Sequence, residues 1–321
     1  MQSVRTAVIG VGAFGAHHAR IYAQLPGAEL VAVAEPDAAR AAQIAAQHGC
    51  EAVADFRDLI GRVDAVSIAA PTVQHEPIGL VLLEAGVDVL IEKPLAPDLD
   101  SADRLIEAAE RNGRILQVGH LERFNPAVEA AFEVATLPLF FEVHRLSTFA
   151  PRSLDIDVTL DLMIHDLDIV LSMANSPIDR IEASGIPILS PQSDIASVRI
   201  VFENGCVANL TASRISTEKV RKLRYFQPRQ YVSVDYTKQE GVLIGLDDND
   251  QLLYRRLAPD KGEPLGRQLE AFLGCVRTRE QPLVSGRTAR RALDAALRIR
   301  AEMERHAALV GRTVEAHRNK K

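Results

Sequence analysis

Cysteine is scarce in this 321-residue chain: Cys50, Cys206 and Cys275 stand far apart and form no Cys-x-x-Cys pair. That excludes a disulfide-built scaffold and a zinc ribbon, and it suits a reducing compartment. No apolar run approaches the roughly 18 residues of a membrane span. Met1-Gln2-Ser3-Val4-Arg5 leads straight into a strand pattern, so no signal peptide is expected. Positive charge is not in excess either. A net charge of −6 and a pI near 5.9 argue against a nucleic-acid-binding protein. Internal repeats and low-complexity tracts are also missing. What is left, with 47% hydrophobic and 25% charged residues, is an ordinary globular composition. At about 100–200 residues per domain the length suits two domains, and the expectation is a cytoplasmic enzyme.

Two styles of patterning divide the chain. Over residues 1–120, continuous apolar runs at Val4–Ile9, Glu29–Ala34, Asp64–Ala70, Val87–Glu92 and Arg114–Gly119 alternate with helical patterns near Ala13–Leu25, Asp37–His48, Gln74–Ala85 and Ser101–Arg111. Continuous runs mark strands covered on both faces. Strand–helix alternation implies an α/β, doubly wound parallel sheet with right-handed crossovers. Residues 121–321 read as an α+β domain with a large, mostly antiparallel open sheet. Its strands are expected at Leu139–Leu146, Ile178–Ile188, Ile195–Phe202, Val207–Ser213, Val220–Phe226, Tyr231–Tyr236, Val242–Leu246 and Leu252–Leu257. Asn204-Gly205 is a hairpin signal, and Asp247–Asp250 marks another turn. A strong helix is expected over Val158–Ala174. Two more close the chain near Leu265–Arg277 and Thr288–His306, with the option of packing back on the first domain.

Three places carry chemistry. Gly10-Val11-Gly12-Ala13-Phe14-Gly15 follows the first strand and opens the first helix. In a Rossmann nucleotide-binding unit the first glycine makes the tight turn, the second lets backbone approach a pyrophosphate and the third lets helix and strand pack closely. The helix N-terminus adds donors and partial positive charge. Glu35 ends the second strand, where a carboxylate accepts from ribose hydroxyls and repels a 2′-phosphate, which favours NAD over NADP. Arg40 lies a turn or more into the next helix. The plain alternatives are a structural turn and a solvated strand end. Lys93 sits at the carboxyl end of a strand, where ligands of open α/β sheets bind, and Pro94 holds Glu92-Lys93 extended. The alternative is a solvated lysine at a loop start. On the Val158–Ala174 helix, at about 100° per residue, Asp161, His165 and Asp168 form a polar stripe beside the apolar one. A carboxylate four residues from an imidazole can orient it and stabilise its protonated form. The other readings are a dipole-favouring carboxylate beside a core histidine, and a metal site, which the lack of a second histidine or a cysteine pair disfavours.

The glycine loop, Glu92-Lys93-Pro94 and Asp161-x-x-x-His165, in that order, resemble the glucose–fructose oxidoreductase / inositol dehydrogenase / rhizopine catabolism (Gfo/Idh/MocA) family of NAD(P)-dependent oxidoreductases. The resemblance covers nearly the whole chain, including Gln268–Phe272 and Pro282–Gly286. It implies that Lys93, Asp161 and His165 are catalytic. It also implies cofactor contacts from Gly10, Gly12, Ala13, Phe14, Gly15, Glu35, Ala70, Pro71, Thr72, His75, Glu92 and Lys93, with NAD as cofactor. Val118–Pro126, Arg152–Asp155, Asp161–Asp166 and Thr211–Lys219 look like the members that oxidise the 3-hydroxyl of UDP-N-acetylglucosamine. That likeness implies substrate contacts from Lys93, Arg123, Asn125, Arg152, Asp161, His165 and Arg214. It further implies a functional partner aminotransferase, and a 2,3-diamino sugar for lipid A as the end of the route. A basic cluster of Arg214, Lys219, Arg221, Lys222 and Arg224 is a candidate for the sugar-nucleotide pyrophosphate, unless alternate strand residues merely face solvent. The expected assembly is a homodimer or homotetramer, built on the free face of the large sheet, with neither nucleic acid nor membrane as partner. Two rivals remain: a dehydrogenase of another UDP-sugar, an inositol or a free sugar, and a nucleotide-binding sensor with a silent site.

Overall fold

The computed structural model describes residues 3–149 and 156–318. They form two compact units, the first made of residues up to Phe124 together with Gly262–Arg290, the second of Asn125–Lys261 and the chain from Arg291. The sequence pattern assigned residues 121–321 to a second domain with the option that the last helices pack back on the first, and the chain does return to the first unit at Gly262.

In the first unit, β1 (Val4–Ile9), β2 (Ala28–Ala34), β3 (Glu51–Val53), β4 (Ala65–Ile68), β5 (Asp88–Glu92) and β6 (Leu116–Gly119) make one sheet in the order β3-β2-β1-β4-β5-β6. Every pair is parallel. This is the doubly wound order with its switch point beside β1, where such sheets bind dinucleotides. Helices α1 (Gly15–Tyr22), α2 (Ala38–His48), α3 (His75–Glu84) and α4 (Leu99–Arg111) connect the strands. Their limits follow from capping: Asp37 Oδ1 accepts from the N–H groups of Ala39 and Arg40, Asp98 Oδ1 accepts from Ser101 N–H, and Gly49 ends α2 at φ +68°. β3 was not expected. Two of its three residues are exposed and it has no apolar run, so its pairing with β2 alone makes it a strand. The apolar face of α7 (Pro264–Thr278) contributes Leu265, Leu269, Phe272 and Leu273 to the core built around Val4, Val8, Tyr22 and Val33.

The second unit holds α5 (Pro126–Val134), β7 (Phe140–Leu146), α6 (Ile164–Ala174), the strands β8 (Ile178–Ile186), β9 (Ile195–Phe202), β10 (Val207–Ser213), β11 (Val220–Gln227), β12 (Gln230–Asp235), β13 (Glu240–Leu246) and β14 (Leu252–Leu257), and most of α8 (Gly286–Arg318). The sheet order is β14-β13-β12-β11-β7-β10-β9-β8. All its pairs are antiparallel except β7 with β10, which join across the chain crossover. The Asn204-Gly205 turn closes β9 onto β10, with Gly205 at φ +85° and its N–H donating to Phe202 O. Asp247 Oδ1 accepts from the N–H groups of Asn249 and Gln251 in the next expected turn.

Strand alternation sorts the faces. Phe141, Val143, Leu223 and Tyr225 are buried on one side, where Tyr225 donates its hydroxyl to Ala131 O of α5. Phe140, Glu142, Arg224 and Phe226 lie on the open side. Burial pushes the thiol of Cys206 up to about 11, and Cys50, Cys206 and Cys275 are all free. Phe272 is fully buried, so Phe272→Ala is expected to remove about 3–5 kcal/mol of stability, read as a fall in the denaturant midpoint. A loss below about 1 kcal/mol would show that α7 is not part of the first unit's core.

Candidate active site

The three glycines of the first loop are needed for three different reasons. Gly10 turns at φ +81°, and a Cβ there would lie 2.9 Å from Ala69 C, Ala69 O and Ala70 N. A Cβ on Gly15 would fall on the carbonyl oxygen of Gly10. Gly12 has nothing within 4 Å of where its Cβ would be, so its backbone borders open space. That space is a cavity of about 910 Å³ lined by Gly10, Gly12, Glu35, Arg40, Ala70 and Pro71, among others. Its volume lies at the upper end of small-molecule and cofactor sites, about 300–1,000 Å³.

Glu35 is fixed at the rim by its own neighbours. Oε2 accepts from Val11 N–H at 3.0 Å and Oε1 from Asp37 N–H at 3.2 Å. The carboxylate is thus tied to the backbone of the glycine loop it serves, at 8% exposure. Arg40, which the sequence spacing set aside, comes back over this group: Nη1 is 3.6 Å from Glu35 Oε1. One turn of α2 is enough for that, and linear distance from Glu35 did not reveal it.

Two expected cofactor contacts have other partners. His75 is 1% exposed, with Nδ1 3.0 Å from Pro94 O and Nε2 2.9 Å from Ala70 O. Both ring nitrogens face backbone carbonyls, so His75 braces the loops after β4 and β5 from behind. Burial lowers its pKa, and the carbonyls of Ala70 and Pro94 and the charge of Glu92 oppose that only in part. Glu92 is also buried, beside His18 Nε2 and the backbone N–H of Lys93. Thr72 lies in the short 3₁₀ turn Thr72–Gln74. Phe14 is 39% exposed, its ring edge-on to His18. Lys93 is half-buried, directly after β5.

Asp161 and His165 belong to the second unit. The expected single helix begins as a π turn over Thr159–Met163 and becomes α-helical only at Ile164. A π turn carries one residue more per hydrogen-bonded ring, so Asp161 does not hold the plain α-helical phase to His165. Asp161 is half-buried, His165 7% exposed and Asp168 1% exposed. Next to His165, Asp166 takes a bidentate pair from Arg145 of β7, at 2.6 and 2.9 Å, and the Arg145 guanidinium also stands 5.4 Å from the Tyr236 ring centroid. This buried clamp fixes α6 against the sheet.

The remaining substrate candidates are mostly held by the protein itself. Asn125 caps α5, its Oδ1 accepting from Ala127 N–H, while its Nδ2 donates to Tyr236 O. Both ends of the amide are used, so its geometry is that of a structural cap. Arg214 is 5% exposed, donates to Ile156 O and lies 3.7 Å from Asp194 Oδ1. Arg123 is buried in the 3₁₀ turn Leu121–Phe124 of the first unit. Arg152 lies outside the described residues. The basic cluster does not make one patch. Lys222 and Arg224 lie on the open face of β11, opposite Asp235 of β12 and Glu142 of β7 respectively, whereas Arg221 shares the phase of the buried Leu223. Among the described residues, no group of three or more His, Cys, Asp or Glu side chains is arranged to hold a metal ion.

A model of an oxidoreductase family with an NAD-binding Rossmann fold (GFO_IDH_MocA) matches residues 4–120. UDP-N-acetylglucosamine 3-dehydrogenase of Acidithiobacillus ferrooxidans is 38% identical over 316 residues, which is 95% of this chain and 98% of that one. The chain belongs to the Gfo/Idh/MocA oxidoreductase family. A solved structure of the same Acidithiobacillus enzyme, GnnA, superposes with a TM-score of 0.91 at 36% identity, covering 95% of this chain and 99% of that one. Inositol 2-dehydrogenase of Corynebacterium glutamicum is 36% identical over 193 residues, 56% of this chain and 57% of that relative. As a family member the chain is an NAD-dependent dehydrogenase. The cavity beside Gly12 and the anchored Glu35 fit that cofactor.

Glu35→Ala is expected to raise KM for NAD by about tenfold or more while KM for NADP falls, because Arg40 is left beside the ribose position without its carboxylate. An unchanged NAD/NADP ratio in steady-state kinetics would contradict the ribose role. Burial opposes the ionisation of Asp194, but hydrogen bonds from Ser190 Oγ and from the N–H groups of Leu189, Ser190 and Ile188 outweigh it and bring its pKa from 3.8 to about 2. A depressed carboxylate contributes stability above its unfolded pKa and loses it as pH falls through the folded one. Asp194→Asn is therefore expected to lower Tm at pH 7, with the gap to wild type closing as pH falls from about 4 toward 2. A gap independent of pH would assign the effect to packing.

Proposed function

We propose that this enzyme oxidises the 3-hydroxyl of UDP-N-acetylglucosamine to the 3-keto sugar nucleotide. What carries this reading is the extent of the likeness: identity to the Acidithiobacillus enzyme runs through 95% of the chain, including the second unit, whereas the likeness to the inositol dehydrogenase stops at 56%. A second reading, an inositol or free sugar as substrate, draws on that shorter likeness.

NAD, when bound, accepts the hydride. The backbone at Gly10–Gly15 would hold its pyrophosphate, and Glu35 its adenosine ribose. His165 takes the proton of the reacting hydroxyl as general base, with Asp161 of the preceding π turn assigned as its carboxylate partner. Lys93 is assigned the stabilisation of the charge that develops on the reacting oxygen. The 3-keto product suits a partner aminotransferase supplying a 2,3-diamino sugar for lipid A. The free thiols suit a cytoplasmic setting, and no helix among the described residues is long and apolar enough to cross a membrane. On the open sheet face, the Phe226 ring lies edge-on to Phe140 at 5.8 Å and tilted against Tyr231 at 5.0 Å between centroids, an apolar centre beside the Arg224–Glu142 pair. This face is the one assigned to a homodimer or homotetramer interface, with light scattering as its measurement.

The direct test mixes the protein with NAD and UDP-N-acetylglucosamine and follows NADH absorbance. Appearance of NADH with this sugar nucleotide and not with inositols is the expected result. NADH with an inositol alone selects the second reading, and none across a panel of UDP-sugars, inositols and free sugars selects a silent nucleotide-binding site. His165→Ala is expected to lower kcat by about 10²–10⁴-fold with KM near wild type, and Lys93→Met to cost at least as much. Wild-type turnover in either variant removes that residue from the scheme.

A further inference from the structure

Glu92, the last residue of β5, keeps a carboxylate at 7% exposure one residue before Lys93. Its two oxygens have different tasks. Oε2 lies 3.3 Å from the backbone nitrogen of Lys93 and accepts its N–H. Oε1 lies 3.2 Å from Nε2 of His18, a fully buried imidazole on α1, one turn past the glycine loop. The carboxylate also occupies the only space available to a side chain at the end of β6: a Cβ built on Gly119 would fall on all three atoms of the Glu92 carboxyl group. Three elements therefore give up volume or a buried nitrogen to keep one acid behind Lys93. Burying a carboxylate costs several kcal/mol unless it is paired, so packing alone would favour an apolar residue here. The His18 nitrogen, the Lys93 N–H and the space at Gly119 instead accommodate an acid.

We propose that His18 and Glu92 form a positioning pair that aims Lys93, with Gly119 as the seat of the carboxylate. The imidazole lies within ion-pair distance of one oxygen, the other accepts the Lys93 N–H, and together they set the direction in which the chain leaves β5. His75 adds a second brace through Pro94 O. Neither His18 nor Glu92 touches substrate in this scheme. Their effect reaches the reaction only through the lysine, so the inference rests on the proposed role of Lys93.

The test compares Glu92→Gln, His18→Gln and His18→Leu with Lys93→Met. Glu92→Gln keeps the shape and an acceptor but loses the charge. His18→Gln keeps a donor near the position of Nε2, and His18→Leu removes it. For Glu92→Gln and His18→Leu, kcat is expected to fall by about 10–100-fold with KM for NAD within twofold of wild type, and His18→Gln is expected to recover most of the loss. A readout free of turnover accompanies this. Lys93 is the only lysine in the first 200 residues and one of seven in the chain. After reductive methylation with ¹³C-formaldehyde its NMR signal is identified by its loss in Lys93→Met. That signal is expected to move in Glu92→Gln while the other lysine signals stay. Wild-type kcat in Glu92→Gln, or an unmoved Lys93 signal, overturns the pair. Equal losses in His18→Gln and His18→Leu reduce His18 to packing and overturn it as well. Full turnover in Lys93→Met would instead overturn the proposed function of the lysine, with the NMR shift still deciding whether Glu92 aims it.

Discussion

Two stretches of backbone meet at Gly10 with no room for a side chain, and much of the first unit follows from that approach. The loop leaving β1 turns at φ +81° against the main chain of Ala69 and Ala70, so the ends of β1 and β4 stay together at the switch point of the sheet. Because the loop is tight, Val11 N–H points at Glu35 and ties the end of β2 to the same place. Because Gly15 packs on Gly10, α1 starts close to the strand and carries His18 beneath β5. A Cβ at either glycine would move all of these groups at once.

Charge placement follows one rule in both units. Salt bridges on the surface, such as Arg5–Asp64 with both side chains over 40% exposed, add little. The buried charges are those with several partners. Arg145 holds Asp166 with two bonds, and Asp194 accepts from three backbone N–H groups and Ser190. Asp88 accepts from Ile115 N–H and pairs with Arg279 of the segment that returns to the first unit. Each would be costly to bury alone, and each joins segments distant in sequence. Arg214 belongs with these groups. Its burial beside Asp194 serves the fold of the second unit, and that is why a basic cluster read along β11 does not appear as a surface patch.

The legible part of the fold was the part with strong local signals. β9, β10 and β14 have the limits their alternation implies, and the Asn204-Gly205 turn lies where its chemistry requires. α5 was not expected, although Asn125 and Pro126 are a cap and a first-turn proline: at nine residues it is a short helix. The π turn at Thr159–Met163 has no composition of its own. Its apolar residues fit an α-helix equally well, and only packing against the sheet selects the wider ring. At the site, Gly10, Gly12, Gly15 and Glu35 are where their spacing implied, since strand–loop–helix order leaves them few alternatives. His75 and Glu92 were found by resemblance, yet their partners, Pro94 O and His18, are nineteen and seventy-four residues away.

Local chemistry written in the chain was thus enough to determine the alternation of strands and helices, the glycine loop and the titratable residues at strand and helix ends. These depend on neighbours within a few residues, where backbone sterics and side-chain period act directly. Tertiary structure alone decided the return of α7 to the first unit, the parallel meeting of β7 and β10, the reach of Arg40 to Glu35 and the burial of Glu92 beside His18. Each of these is a contact between distant segments, and its energy exists only once both surfaces have left water.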